Sequence, residues 1–78
     1  MKLEIKYEDN SETKIYSVVR KRGNGDYVLD VKPRIYIELE SPYWGISYKG
    51  ADGKYQWHSC YIKTSKGHRM GLVRRVED

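Results

Sequence analysis

Residues 43–62, Y-W-G-I-S-Y-K-G-A-D-G-K-Y-Q-W-H-S-C-Y-I, decide the fold that the sequence predicts. Two strand-like runs flank Gly50-Ala51-Asp52-Gly53, and an Asp-Gly pair in this setting is among the strongest local signals for a β-hairpin. Glycine and aspartate both tolerate the positive φ angles of a two-residue primed turn. We therefore expect a hairpin that turns at Asp52-Gly53.

Counting outward from that turn divides the hairpin into two faces, because successive side chains of a strand point to opposite sides of the sheet. The face that we expect to lie on the core is mostly aromatic and carries Trp44, Ile46, Tyr48, Trp57 and Tyr61. The face that we expect to meet solvent is mostly polar and carries Gly45, Ser47, Lys49, Gln56, His58, Cys60 and Ile62.

The rest of the chain reads as further short strands. Residues 2–7 and 34–40 alternate apolar and polar side chains, and residues 14–22 and 70–76 are also strand-like. No segment shows an amphipathic helix of ten residues or more, and a short helical turn near residues 66–72 is the most that the sequence allows.

A second tight turn is predicted at Asn24-Gly25, since this pair also tolerates positive φ angles. Counting outward from it pairs Arg20 with Leu29 and Val18 with Val31. We expect this register whether the loop has two residues or four.

Six or seven short strands separated by turn residues predict an all-β fold. We expect residues 1–78 to form one small antiparallel barrel or half-barrel of the SH3-like or OB-like kind, with at most one helical turn. Closure also protects strand edges that an open sheet would expose. A chain of 78 residues buries only about 60 to 65% of the surface that it exposes when unfolded, so the core is expected to be small.

The composition excludes several classes of protein. A single cysteine rules out an internal disulfide framework, and one cysteine with two histidines cannot supply a zinc site of soft ligands. We expect no metal and no cofactor. The chain contains no run of 18 apolar residues and begins with charged and apolar residues in alternation, so we expect a soluble, cytoplasmic protein.

The charge and the aromatic residues point to a polyanionic partner. The formal net charge is +4, and the basic excess is C-terminal, with seven Lys/Arg against three Asp/Glu in residues 41–78. The chain has eight Tyr and two Trp but no Phe, so every large ring carries a polar atom suited to a half-buried position or a binding surface.

We therefore predict a small basic module that binds DNA or RNA with weak sequence specificity. Cationic side chains would contact phosphates, and exposed rings, with Tyr43 and Trp44 near the hairpin ends, would stack on bases. The predicted binding residues lie on the polar hairpin face and in the basic C-terminal segment: Lys49, Lys54, Tyr55, His58, Lys63, Lys66, His68, Arg69, Arg74 and Arg75.

Other interpretations stay open. The protein could be an interaction module or a small inhibitor that binds a host enzyme through a Tyr-rich surface, or a homodimer through an exposed strand edge. We expect no enzyme. The catalytic alternatives are a metal-independent ribonuclease using His58 and His68 with Glu38 or Glu40, and a nucleophilic Cys60 beside His58. No motif matches a known family position by position.

Overall fold

The chain folds into a closed antiparallel barrel of six strands, as a computed structural model of the protein shows. The structure describes residues 1–9, 12–41 and 43–77, with the backbone alone at residues 43 and 44. Each strand pairs with its neighbour in the chain, and β6 pairs with β1 to close the barrel. The predicted small antiparallel barrel is confirmed. Its elements are β1 (Lys2–Tyr7), β2 (Thr13–Lys21), β3 (Tyr27–Leu29), β4 (Tyr36–Leu39), a 3₁₀ helix (Tyr43–Ser47), β5 (His58–Thr64) and β6 (Gly67–Val76).

The core follows the alternation of the strands. Leu3 and Ile5 of β1, and Ile37 and Leu39 of β4, point inward and are buried, as their period of two predicts. The core cluster also includes residues from each of the other elements except β2, and it consists of Leu3, Ile5, Tyr27, Leu29, Ile37, Leu39, Ile46, Cys60, Ile62 and Val73.

The long hairpin predicted over residues 43–62 is wrong in its first arm. Residues 43–47 form the 3₁₀ helix, in which the Tyr48 N–H donates to the Gly45 carbonyl, and pairing is limited to an isolated bridge between Lys49 and Tyr55. A strand in the first arm would leave this end of the barrel open. The 3₁₀ helix instead inserts Ile46 into the core, where it is 1% exposed.

The predicted faces of the second arm are inverted. Cys60 and Ile62 are fully buried, whereas Tyr61 is exposed, because β5 pairs with β4 so that Cys60 lies opposite Leu39 and Ile62 opposite Ile37. The core positions predicted for Tyr48 and Trp57 are also wrong: Tyr48 is exposed, and Trp57 is half-buried outside the core cluster. The side chain of Trp44 lies outside the described part of the structure.

The strand pairing predicted around both turns is wrong for the same physical reason: each loop contains an odd number of residues. The bridge between Lys49 and Tyr55 encloses five residues, and the Arg22 N–H bond to the Asp26 carbonyl encloses three, with Gly25 at a φ of 97°. An odd count shifts the register by one residue, which moves side chains to the other face.

In the second hairpin, Arg20 therefore lies opposite Val28, and Val18 lies opposite Leu29 after a further irregularity in the ladder. The pairs predicted there, Arg20 with Leu29 and Val18 with Val31, are wrong. A β-bulge has an extra residue of this kind in one strand, and that residue bends the strand against its partner.

The barrel has two different ends. The capped end carries the 3₁₀ helix, residues 48–57 and the β2–β3 turn. The open end carries the β1–β2, β3–β4 and β5–β6 connections. Within the described residues, no helix has the length and apolar character that spanning a membrane requires.

Candidate nucleic-acid interface

The ten predicted binding residues do not form one surface. They divide between the capped end, the outer wall of the barrel and the open end. Residues 49, 54, 55, 58, 74 and 75 lie toward the capped end, Lys63 lies on the outer wall, and residues 66, 68 and 69 lie toward the open end.

Two cations lie close to the Tyr55 ring, and both are already engaged with other side chains. The Lys49 Nζ lies 5.2 Å from the centre of its ring and the Arg75 Cζ lies 5.4 Å away. Lys49 also pairs with the Glu77 carboxylate at 2.5 Å, and the hydrogen bond and charge of Glu77 raise the pKa of Lys49. Arg75 donates to the Ser47 Oγ at 3.4 Å. A base that stacks on Tyr55 would compete with these cations for the ring.

Trp57 is held in the same way on the outside of β1 and β6. The Arg74 Cζ lies 4.5 Å, and the Lys6 Nζ 5.0 Å, from the centre of its ring. The Arg74 Nε donates to the Glu4 Oε1 at 2.6 Å. Burial alone would raise the pKa of Glu4, but hydrogen bonds from Thr13 and Arg74 and the charge of Arg74 bring it below its usual value. Arg74 is therefore occupied as the counter-ion of a buried carboxylate.

Lys63 is a structural residue. Its side chain is 18% exposed, and its Nζ lies 2.6 Å from the Glu38 Oε1 and 3.0 Å from the Oδ2 of the buried Asp26. The hydrogen bonds that its ammonium donates to Glu38 and Asp26 raise the pKa of Lys63. The lysine thus neutralises Asp26, which precedes β3, and links both Asp26 and Glu38 of β4 to β5. These contacts leave it poorly placed to bind a phosphate.

The two histidines are far apart and differ in setting. His68 lies on β6 opposite Lys63 of β5, and Lys63 is five positions along β5 from His58. The two histidines are therefore about 17 Å apart along the strands. His58 is half-buried, and its buried Nε2 has no hydrogen-bond partner among the described residues, whereas His68 is exposed. They do not meet at one reacting bond, as a ribonuclease acid and base must.

Cys60 is buried in the core, where its thiol is 0% exposed. Burial, with the nearby charge of Glu40, raises the pKa of its thiol to about 12, so the thiolate that attacks in cysteine enzymes is scarce at neutral pH. The described residues also contain no group of three or more His, Cys, Asp and Glu placed to hold a metal ion.

A groove at the open end of the barrel brings together residues that the sequence argument did not connect. It has a volume of about 600 Å³ and is lined by Ile5 and Tyr7 of β1, Tyr16 of β2, and Val31 and Ile35 of the β3–β4 connection. These five side chains are buried or half-buried and belong to the core or pack against it. The groove therefore has an apolar floor with two tyrosine rings.

Cations surround this floor. Lys14, Lys32 and Lys66 line the groove, and no acidic side chain in the described residues lies within ion-pair distance of their ammonium groups. Arg69 also lines it, with its Cζ 4.7 Å from the centre of the Tyr7 ring and its Nη2 2.6 Å from the Asp9 Oδ2. Three lysines of the open end therefore have no carboxylate partner in the part of the chain that the structure describes.

A second groove of similar volume provides a contrast. It lies beside β1 and β6 and is lined by Glu8, Asp9 and Lys6 with Met70 and Leu72. Two carboxylates against one lysine make it unsuitable for an anion. Of the two grooves, only the one at the open end combines cations with aromatic rings.

Sequence reasoning found Lys66 and Arg69 of this groove but missed Lys14, Lys32, Tyr7 and Tyr16. The first half of the chain has equal numbers of basic and acidic residues, so its average charge hid the local excess. One signal was present in the sequence: Lys14 lies on the same face of its strand as Tyr16 and Val18. A lysine on the inward face of a strand is unusual, and it is typical of a strand end that opens to solvent.

Comparisons of the chain with protein-family models, curated proteins and solved structures find no match, so the groove is interpreted from its geometry and chemistry alone.

Proposed function

We propose that the protein binds single-stranded nucleic acid, with weak sequence specificity, through the groove at the open end of the barrel. The observation that carries this proposal is the set of three lysines, Lys14, Lys32 and Lys66, that have no ion pair among the described residues and surround an apolar floor with Tyr7 and Tyr16. A cationic groove with aromatic stacking platforms is the usual means by which small β-barrels bind unpaired strands.

The lysines supply affinity that does not depend on sequence. A lysine that neutralises a phosphate releases condensed counterions, and this release dominates the binding of basic proteins to nucleic acids. Lysines already paired with carboxylates gain less, because they exchange one anion for another. The groove is favoured over the capped end for this reason, since Lys49 is bound to Glu77 and Arg74 to Glu4.

The tyrosines select an unpaired strand. Tyr16 has no cation over its ring among the described residues, so its exposed surface is available to a base, whereas Tyr7 lies beneath Arg69. Bases inside a duplex are stacked on each other and cannot reach such a ring without being extruded. The barrel also lacks, in its described part, a helix of the kind that reads base edges in the major groove.

The proposal is tested by fluorescence anisotropy of a labelled single-stranded oligonucleotide over a series of salt concentrations. Lys14→Gln and Lys32→Gln should each weaken binding to all sequences and reduce the slope of log K against log salt by about 0.7. Tyr16→Ala should weaken binding by about 1 to 3 kcal/mol with little change in slope, because stacking displaces few ions.

Lys54→Gln is the matched control, since Lys54 is exposed near the capped end and has no ion pair in the described residues. Its salt slope should equal that of the unmodified protein. If Lys54→Gln reduces the slope as much as Lys14→Gln does, the binding surface includes the capped end. If no oligonucleotide binds at low salt, the proposal is wrong.

A second candidate function is binding to a protein partner, which the outer face of β5 and β6 favours. Tyr61 and Met70 lie opposite each other there and are 38% and 37% exposed. Exposed aromatic and methionine side chains are enriched where proteins bind each other. The closed barrel offers no unpaired edge among its described strands, so partner binding is assigned to this face. Such binding should be nearly insensitive to salt, which distinguishes it from the first proposal.

A further inference from the structure

We infer that the groove at the open end receives the phosphorylated end of a strand, that is, a nucleotide carrying a terminal phosphate monoester. This inference rests on the proposed function and adds to it which part of the nucleic acid occupies the site. It follows from the charge of the groove and from its position on the barrel.

The charge of the lining residues matches a doubly charged anion. Lys14, Lys32 and Lys66 contribute three positive charges, and Glu12 is the only carboxylate among the described lining residues. Arg69 is balanced by Asp9, with 2.6 Å between Nη2 and Oδ2. The remaining excess is two positive charges. A terminal phosphate monoester carries about −1.5 to −2 at pH 7, whereas a phosphodiester within a strand carries a single negative charge.

The position of the groove favours a strand end over a passing strand. Lining residues come from all three connections at the open end: Glu12 before β2, residues 31–33 and 35 between β3 and β4, and Ser65 with Lys66 between β5 and β6. The groove is therefore a basin in the end of the barrel, in contrast to a channel along the face of a sheet. A volume of about 600 Å³ is within the range of small-ligand sites.

The base of the same terminal nucleotide has a surface to stack on. Tyr16 is half-buried and lines the basin together with Lys14, which lies on the same face of β2. Ile5, whose strand partner is Lys14, is an apolar residue that also lines the basin. The basin thus offers cations for the phosphate and an aromatic, apolar wall for the base.

The experiment compares competitors of one sequence and length that differ only at their ends. Unlabelled oligonucleotides with a 5′-phosphate, a 3′-phosphate or hydroxyls at both ends displace an internally labelled strand at constant salt. One of the phosphorylated competitors should bind about three- to tenfold more tightly than the hydroxyl form, as expected for a charge-assisted contact in a partly exposed site.

The preference for a phosphorylated end should depend on the lysines that line the basin. Lys14→Gln and Lys32→Gln should reduce it to less than about twofold, whereas Lys54→Gln should leave it unchanged. Equal affinity for all three oligonucleotides would overturn this inference while leaving the proposed function in place. Failure of every oligonucleotide to bind would overturn the proposed function.

Small competitors then distinguish the contribution of the phosphate from that of the base. They also distinguish a strand end from a free nucleotide as the source of the ligand. A nucleoside monophosphate should compete, and the nucleoside without phosphate and inorganic phosphate alone should each compete less well. If inorganic phosphate competes as well as the nucleoside monophosphate, the site binds phosphate only and the inferred role of Tyr16 is wrong. If the monophosphate binds but oligonucleotides do not, the ligand is a free nucleotide, and the proposed function fails while the basin chemistry stands.

Discussion

At the scale of single residues, Glu4 illustrates how this small barrel accommodates a charge in a buried position. It lies in β1 opposite Arg74 of β6, and the Arg74 Nε donates to its Oε1 at 2.6 Å. A buried carboxylate is tolerated only when it is paired and hydrogen-bonded. The lowered pKa of Glu4 shows that the hydrogen bonds and the charge of Arg74 outweigh the effect of burial.

Glu4→Gln should therefore destabilise the protein in a manner that depends on pH. A carboxylate whose pKa is lower in the folded state contributes stability above its unfolded pKa, about 4.3, and loses that contribution as the pH falls through the folded pKa. The variant should be less stable by about 1 to 2 kcal/mol at pH 7, and the difference should shrink below about pH 4.

Urea unfolding at a series of pH values measures this difference. Glu8→Gln is the control, since Glu8 is exposed and has no ion pair among the described residues, and it should show no comparable change. A stability difference between Glu4→Gln and the unmodified protein that stays constant down to pH 3 would contradict the assigned role of Arg74.

At the scale of the elements, β6 closes the barrel, because this last strand pairs with the first strand, β1, as well as with β5. Its Gly71 lies opposite Tyr7 of β1 and Cys60 of β5. A Cβ at this position would lie 2.6 Å from the Lys6 carbonyl oxygen and 2.5 Å from the Ile62 Cδ1. The Ile62 side chain can rotate away, but the backbone of β1 cannot move without disturbing its ladder.

Gly71→Ala should accordingly destabilise the barrel by about 1 to 3 kcal/mol through overpacking. Gly23→Ala is the matched control, since a Cβ at Gly23 meets no atom within 4 Å, and its effect should stay within about 0.5 kcal/mol. Thermal unfolding of the two variants compares them directly. Equal stability would mean that β1 and β6 separate more easily than their spacing indicates.

At the scale of the whole molecule, the 3₁₀ helix that fills the core and the proposed binding groove lie at opposite ends of the barrel. The capped end is filled by Ile46 of the 3₁₀ helix, which is 1% exposed, and the proposed binding groove lies at the other end. Residues of the core connect the two ends, but no residue that lines the groove belongs to the 3₁₀ helix.

Ile46→Val should lower the free energy of unfolding by about 0.5 to 1.5 kcal/mol, and Ile46→Ala by about 2 to 5 kcal/mol. The folded fraction of Ile46→Val should still bind a single-stranded oligonucleotide with unchanged affinity. Denaturant titration and anisotropy on the same preparation measure both quantities. A loss of affinity in Ile46→Val that exceeds its loss of folded protein would place the binding surface at the capped end.

The sequence by itself determined that the protein is a small antiparallel barrel. The alternation in residues 2–7 and 34–40 correctly placed Leu3, Ile5, Ile37 and Leu39 in the core, because a strand with one buried face must carry apolar side chains at every second position. Those patterns are local to β1 and β4, and the pairing of these strands in the barrel keeps the same face buried.

Only the tertiary structure decided which face of β5 is buried and where the cations gather. Cys60 and Ile62 point inward because β5 takes its register from β4, and a loop of five residues instead of two shifts the preceding pairing by one. Lys14, Lys32 and Lys66 are far apart in the sequence and line one groove because closure of the barrel brings three connections to the same end. No pattern along the chain encodes such a meeting, since it depends on how six strands close on each other.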